Sequence, residues 1–146
     1  MHYTRLRGTD LDVSGIAMGC WGIIGGLTWG KRDDMLGEKT IRTAFDHGIN
    51  LFDTAPAYGN GDSEKILGKA VSRFKSKVVI ASKIGKRFTD TRELITQCEN
   101  SLQRLDRDYI DLYQVHWHND SLPSIPDILE TLFKFSAINS LPTDFL

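Results

Sequence analysis

Asp53, Tyr58, Lys83 and His116 are a carboxylate, a phenol, an ammonium and an imidazole, and each falls at or just beyond the end of an apolar run. Groups of these types hold, donate or accept protons. Each alone has an ordinary reading. Asp53 could cap the loop after a strand, Lys83 could be a surface residue at a strand terminus, and a lone histidine at a strand end is commonly structural. Strand parity relates three of them, because successive side chains alternate faces. Asp53 shares a face with Leu51, Lys83 with Ala81 and Val79, and His116 with Gln114 and Leu112. If that face is the interior of a parallel sheet, the three polar ends point into one mouth, with Tyr58 hanging over it from a loop.

The elements that must position them alternate between strand and helix. Ile49–Asp53 reads as a strand and runs into a loop punctuated by Pro56, Gly59 and Gly61. Ser63–Arg73 then reads as a helix, with Ile66, Leu67, Ala70 and Val71 one turn apart. Lys77–Lys83 is the next strand, and its continuous apolar run suits burial on both faces of a parallel sheet. Thr91–Leu105 carries a helical stripe of Leu94, Ile95, Cys98, Leu102 and Leu105, and Tyr109–Val115 is a further strand ending at His116. In a parallel α/β sheet, residues at the C-terminal ends of strands are the ones placed for chemistry.

Upstream, His2–Leu6 and Leu11–Val13 flank Arg7-Gly8-Thr9-Asp10 and read as a β-hairpin. Ile16–Met18 is expected as a short buried strand, followed by Gly19-Cys20-Trp21-Gly22, where glycine lets backbone come close to a ligand. Trp21 and Trp29 could wall an aromatic pocket or simply pack. Asp33–His47 reads as a helix with Ile41, Ala44 and Phe45 inward, stopped by His47 and Gly48. Downstream, Pro126 is placed to open a helix over Pro126–Phe135.

Composition sets bounds. The chain has 146 residues, is 40% hydrophobic and 25% charged, and carries a net charge of −1. That balance gives no electrostatic footprint for nucleic acid or an anionic membrane. Cys20 and Cys98 make neither a disulfide framework nor a metal-ligand spacing, so no metal is expected and a reducing compartment is. The most apolar run, Gly15–Leu27, is too short and glycine-rich to span a bilayer, and the cytoplasm is the expected location.

Two stretches carry a resemblance. D-T-A-x-x-Y-G-x-G-x-S-E, from Asp53 to Glu64, resembles the first signature of the aldo/keto reductases. Ser101-Leu102, Arg104-Leu105, Asp108-Tyr109-Ile110-Asp111-Leu112 and His116 together resemble the second. The resemblance implies a (β/α)8 barrel, and it implies use of NADP(H) to interconvert carbonyls and alcohols. On that model Tyr58 is the general acid for the carbonyl oxygen and Lys83 favours its phenolate. Asp53 keeps Lys83 charged, and His116 donates a hydrogen bond to the substrate oxygen. The hydride comes from nicotinamide, because no side chain supplies one. The Gly19, Cys20 and Trp21 turn and Asp53 are the positions that could touch cofactor, near its ribose. No G-x-G-x-x-G follows a strand, so a dinucleotide-binding site of that other type is not supported.

A complete barrel of this kind takes roughly 250 residues. The expected architecture is therefore the N-terminal half of a (β/α)8 TIM barrel: a β-hairpin and about four βα units over 1–135, then a tail over 136–146 that matches no family element and is expected to be poorly ordered. Much of the family's cofactor grip would belong to the other half. A truncated chain is the leading expectation. Self-association, or pairing with a separately encoded half-barrel, is the alternative way to cover open strand edges. Against the reductase stands a non-catalytic fragment or interaction module related to potassium-channel β subunits. Those typically carry another residue at the position of His116, so histidine favours the reductase.

Overall fold

The structure is a computed structural model, and it describes residues 1–85, 90–117 and 122–138. Two strands form the expected hairpin: β1 (Tyr3–Arg5) and β2 (Asp12–Ser14) pair antiparallel. A four-stranded parallel sheet follows, in the order β3 (Met18–Gly19), β4 (Leu51–Asp53), β5 (Val79–Ile84) and β6 (Leu112–Val115). Among the described residues four α-helices accompany it: α1 (Asp34–Asp46), α2 (Asp62–Val71), α3 (Thr91–Leu105) and α4 (Ile125–Ile138). Spatial order follows chain order, with each helix lying beside the next. This is the α/β half-barrel arrangement that the alternating pattern predicts.

The sheet has two unlike faces. On one, Phe52, Ile80 and Tyr113 meet the helix residues Ile41, Ile66, Leu67, Leu94, Leu105, Ile128 and Leu132 in the main core. On the other, Val79, Ala81 and Leu112 are buried with Val13 of the hairpin, and Leu6, Leu11 and Leu51 pack around them. The hairpin thus closes the N-terminal end of this inner face. The parity argument holds in the register. Leu51 pairs with Val79, Asp53 with Ala81, and Lys83 with Gln114, so these residues share the inner face.

Several boundaries differ from the sequence reading, each for a local reason. Asn50 lies outside β4: its carbonyl still accepts the Val79 N–H, but its own N–H goes to Ser14 Oγ at 3.1 Å, and its side chain fastens the hairpin to the sheet. Its Oδ1 accepts from Ser14 N–H at 2.7 Å and its Nδ2 donates to Asp12 O at 2.8 Å. β6 starts at Leu112 rather than Tyr109 because the Asp111 carboxylate, not a backbone carbonyl, takes the Ile80 N–H, at 2.8 Å. Burial pushes the Asp111 carboxyl above the usual range, although that N–H and the Arg107 guanidinium pull it down. The expected buried strand at Ile16–Met18 is corrected as well. Ile16 is 61% exposed, and the parallel ladder begins only at Met18. Helix α4 continues to Ile138, so the first three residues of the expected tail are helical, while 139–146 lie outside the described residues.

Helix α2 approaches α3 closely at Gly68. A Cβ placed there would stand 2.3 Å from the carbonyl oxygen of Leu105 and 2.6 Å from its carbon. Backbone is the obstacle, so relief requires the two helices to part. Gly68→Ala is therefore expected to lower stability by about 1–3 kcal/mol, read as an earlier urea midpoint with an unchanged slope. An unchanged midpoint would show that the helices are not in contact there.

Candidate active site

Lys83 stands near the C-terminal end of β5, and its ammonium is the hub of the inner rim. Nζ donates to both Asp53 oxygens at 2.8 Å, to the Thr54 carbonyl at 2.9 Å and to the Tyr58 hydroxyl oxygen at 3.2 Å. Its side chain is only 12% exposed, against 35% for Asp53. Asp53 ends β4 on the adjacent strand, in register with Ala81 and on the same face as Lys83, so the lysine side chain reaches back to its carboxylate. Tyr58 follows in the loop, where Tyr58 N–H donates to Ala55 O at 3.0 Å. That turn brings the phenol back over the strand ends, so the ammonium also lies 4.9 Å from the centre of the Tyr58 ring.

This arrangement has a direction. The ammonium is held in place by a carboxylate and a carbonyl in a largely buried position. The Tyr58 oxygen accepts from it, and its own O–H remains for another acceptor. Loss of that proton would leave an oxyanion facing a fixed positive charge. His116, just beyond β6, completes the rim: its ring centre is 5.7 Å from that of Tyr58, at 86°. Trp117 stacks on His116, and Trp21 lies 6.3 Å from Tyr58 on the other side. The structure thus brings Asp53, Tyr58, Lys83 and His116 to one rim.

The positions expected to touch cofactor divide. Gly19 is exposed at the end of β3, and a Cβ there would meet nothing within 4 Å. Trp21 is half exposed. Cys20 is different. It is fully buried among the helix-facing core residues, its N–H donates to Asp53 O at 2.8 Å, and its carbonyl accepts from Ser63 Oγ at 2.8 Å. Burial pushes its thiol up to about 12, with the Asp53 charge acting the same way and Lys83 opposing. A cofactor contact at Cys20 is not one that its side chain can make in this conformation. Among the described residues there is no cluster of three groups that could hold a metal.

A second polar network lies behind the rim, and the sequence reading missed its role. Glu64 is fully buried, and its two oxygens accept from Ser82 Oγ at 2.7 Å and Arg104 Nε at 2.6 Å. Arg104 also donates to Ser101 Oγ at 2.9 Å. Thr54 and Ser63 share a hydrogen bond of 2.9 Å. Thr54 follows Asp53 and Ser82 precedes Lys83, so the network secures the two strand ends that carry the ion pair. A signal was present: Leu94, Cys98, Ser101 and Leu105 share one helical stripe, and a serine on an apolar stripe calls for a partner.

With this geometry in view, likeness to known proteins can be placed. The aldo/keto reductase family model matches residues 15–140, and the chain belongs to that family. It is 39% identical to the aldo-keto reductase YhdN of Bacillus subtilis, across 97% of this chain and 46% of that protein. A weaker match, 32% identical across 84% of this chain and 39% of the other, is to a probable voltage-gated potassium channel subunit beta of Arabidopsis thaliana. Among solved structures, a thermostable aldo-keto reductase bound to the inhibitor epalrestat superposes with a TM-score of 0.84 at 31% identity, covering 97% of this chain and 52% of that one. An aldo-keto reductase from Klebsiella pneumoniae in complex with NADPH gives 0.78 at 28% identity, covering 89% and 44%. The chain spans about half the length of the curated relatives it matches. Its fold is correspondingly that of half a (β/α)8 barrel.

Removing the Glu64 charge should strand the Arg104 guanidinium, which is mostly buried. Glu64→Ala is expected to cost about 3–5 kcal/mol of stability, and Glu64→Gln less because the amide still serves Ser82. A double-mutant cycle with Arg104→Ala, followed by urea denaturation, should show strong coupling. Additive losses would mean that the two side chains act independently.

Proposed function

We propose that this chain carries the proton-handling half of an NADP(H)-dependent reductase that converts aldehydes or ketones to alcohols. The observation that supports this best is the 3.2 Å contact between the Tyr58 hydroxyl and an ammonium held bidentately by Asp53. A pair that served only the fold would have no reason to present a phenol at the mouth of the sheet. In the reduction direction Tyr58 gives its proton to the carbonyl oxygen of the substrate, and the phenolate left behind faces Lys83. Asp53 keeps Lys83 charged and aimed. His116 donates a hydrogen bond to the same substrate oxygen and so orients the carbonyl. In the reverse direction the phenolate takes the proton back.

The residues present fit the nicotinamide end of such a cofactor. Gly19 offers open backbone at the rim, Trp21 an exposed ring, and Asp53 a partly exposed carboxylate able to accept from a ribose hydroxyl. When bound, the nicotinamide supplies the hydride. The NADPH complex of the Klebsiella pneumoniae relative supports NADP(H) as the cofactor.

The partners we propose are a small carbonyl compound and further strands at the edges β3 and β6, from a second copy or a separately encoded half-barrel. The cytoplasm is the proposed location, supported by Cys20 and Cys98 standing as buried free thiols. Among the described residues, no helix is long and apolar enough to cross a membrane. A non-catalytic module akin to channel β subunits is the competing reading, and it draws on the weaker likeness.

Two measurements test this. Titration with NADPH, followed by fluorescence of Trp21, Trp29 and Trp117, should saturate in the micromolar range; absence of binding at millimolar concentration would favour the non-catalytic module. Tyr58→Phe should lower kcat by about two to four orders of magnitude and leave NADPH affinity nearly intact. Turnover that persists in that variant would remove the phenol from the mechanism.

A further inference from the structure

The turn that follows Tyr58 is left-handed throughout. Gly59, Asn60 and Gly61 have φ of 61°, 55° and 90°. Glycine takes such a conformation freely, and asparagine is one of the few residues with a side chain that tolerates it. Packing adds a second demand at Gly61, where a Cβ would stand 2.5 Å from Arg104 Cδ. Glu64 and Ser101 hold the Arg104 guanidinium, so the obstacle does not swing aside. Shape alone thus calls for glycine at 61 and suits asparagine at 60. The same pair places a carboxamide next to a backbone nitrogen that no neighbouring side chain shields.

Both reacting groups are uncommitted. Asn60 is exposed, and its carboxamide makes no hydrogen bond among the described residues. Nor does the Gly61 N–H donate to any described acceptor. The bonds that close the turn run past it, from Asp62 N–H to Gly59 O at 3.2 Å and from Ser63 N–H to Tyr58 O at 3.3 Å. Two other asparagines stand differently. Asn50 has its carboxamide bonded at both ends, to Ser14 N–H and Asp12 O, and the bulkier Leu51 follows it. Asn100 lies within α3, where the backbone is helical.

We propose that Asn60 is a site of self-modification, at which the Gly61 nitrogen cyclises onto the Asn60 side chain and alters the turn that returns Tyr58 to Lys83. The Gly61 nitrogen forms a bond to Asn60 Cγ. The bond from Cγ to the amide nitrogen breaks, and that nitrogen leaves as ammonia with the proton that the Gly61 nitrogen gives up. Water then opens the cyclic imide at either carbonyl, and no oxidant or reductant takes part. One opening leaves aspartate. The other leaves isoaspartate, with the main chain rerouted through Cβ. Either product adds a negative charge, and isoaspartate also lengthens the main chain between Tyr58 and Asp62 by a methylene. The two bonds that close the turn span that segment, so they do not both survive the extra length. Tyr58 then loses the placement that holds its hydroxyl 3.2 Å from Lys83 Nζ. The consequence for turnover rests on the reductase reading, and the modification itself does not.

The test incubates the full chain in warm, mildly alkaline buffer and locates conversion at each asparagine by peptide fragmentation in the mass spectrometer. Asn60 should shift by the mass difference between amide and acid, and its peptide should become a substrate for an isoaspartate-specific methyltransferase. Asn50 and Asn100 should keep their mass. Asn60→Gly retains a residue suited to the left-handed turn but has no carboxamide, so labelling of that peptide should be lost. Ion exchange separates the converted chain by its added negative charge. That fraction should lose most of its carbonyl-reducing turnover, whereas Asn60→Gly incubated in the same way keeps the rate it had when fresh. The proposal is overturned if Asn60 keeps its mass in the folded chain, if Asn50 or Asn100 converts as fast, if labelling of the peptide survives Asn60→Gly, or if the converted fraction turns over at the full rate. A fresh chain that reduces nothing overturns the reductase reading instead, and the modification is then decided by the mass shift and the labelling.

Discussion

One ammonium at the rim of a parallel sheet constrains what surrounds it. Lys83 has three protons to donate and finds two carboxylate oxygens, a backbone carbonyl and a phenol within 3.2 Å. An ammonium this far out of water needs oxygen partners close by. Asp53 on the adjacent strand supplies two of them: it pairs with Ala81, two residues before Lys83 on the same face. The strand pairing thus sets the distance between the ammonium and the carboxylate, and with it the contact to the Tyr58 hydroxyl.

The inner face of the sheet shows how such a charge is tolerated. Toward the N-terminal ends it is apolar, and the hairpin seals it with Val13, Leu6 and Leu11. Toward the C-terminal ends it turns polar at Asp53 and Lys83. The change occurs within one side-chain step along each strand, from Leu51 to Asp53 and from Ala81 to Lys83. Rigidity at that boundary comes from the opposite face. There Glu64 joins α2, β5 and α3 through Ser82 and Arg104, and Ser63 and Thr54 join the ends of β3 and β4. The strand ends that carry the charges at the mouth are therefore held by a buried network, which meets the mouth where the Thr54 carbonyl accepts from Lys83.

Much of this was legible in the sequence, and the parts that were not have physical reasons. Apolar periodicity located all four helices and ordered the parallel strands, because burial on a helix stripe or a strand leaves a periodic trace. Parity alone put Asp53 and Lys83 on one face. Strand ends were harder to read, since the Asp111 carboxylate takes the Ile80 N–H and Asn50 gives its own N–H to the Ser14 hydroxyl, and such bonds leave no periodic mark. Glu64 and Ser63 read as an ordinary helix opening, yet both are buried. A charge inside a core can be recognised only when its partners, forty residues on at Arg104 and eighteen on at Ser82, are known to meet it. Cys20 read as part of a ligand-facing turn and lies on the other side of the sheet, one residue out of phase with Gly19.

That alternation between Gly19 and Cys20 also explains how a short stretch can serve two surfaces. Gly19 pairs with Asp53 across the ladder and leaves its open side to the rim, while Cys20 fills the core and ties its backbone to Asp53 and Ser63. Trp21 then returns to the rim beside Tyr58. Asp53 is consequently held from two sides: its carboxylate by Lys83 and its backbone by Cys20. Asp53, Lys83 and Tyr58 come from adjacent strands and the loop after β4, and their mutual geometry is determined by pairings inside this chain. The distance between the phenol and the ammonium is therefore set by contacts among β4, β5 and the loop between β4 and α2.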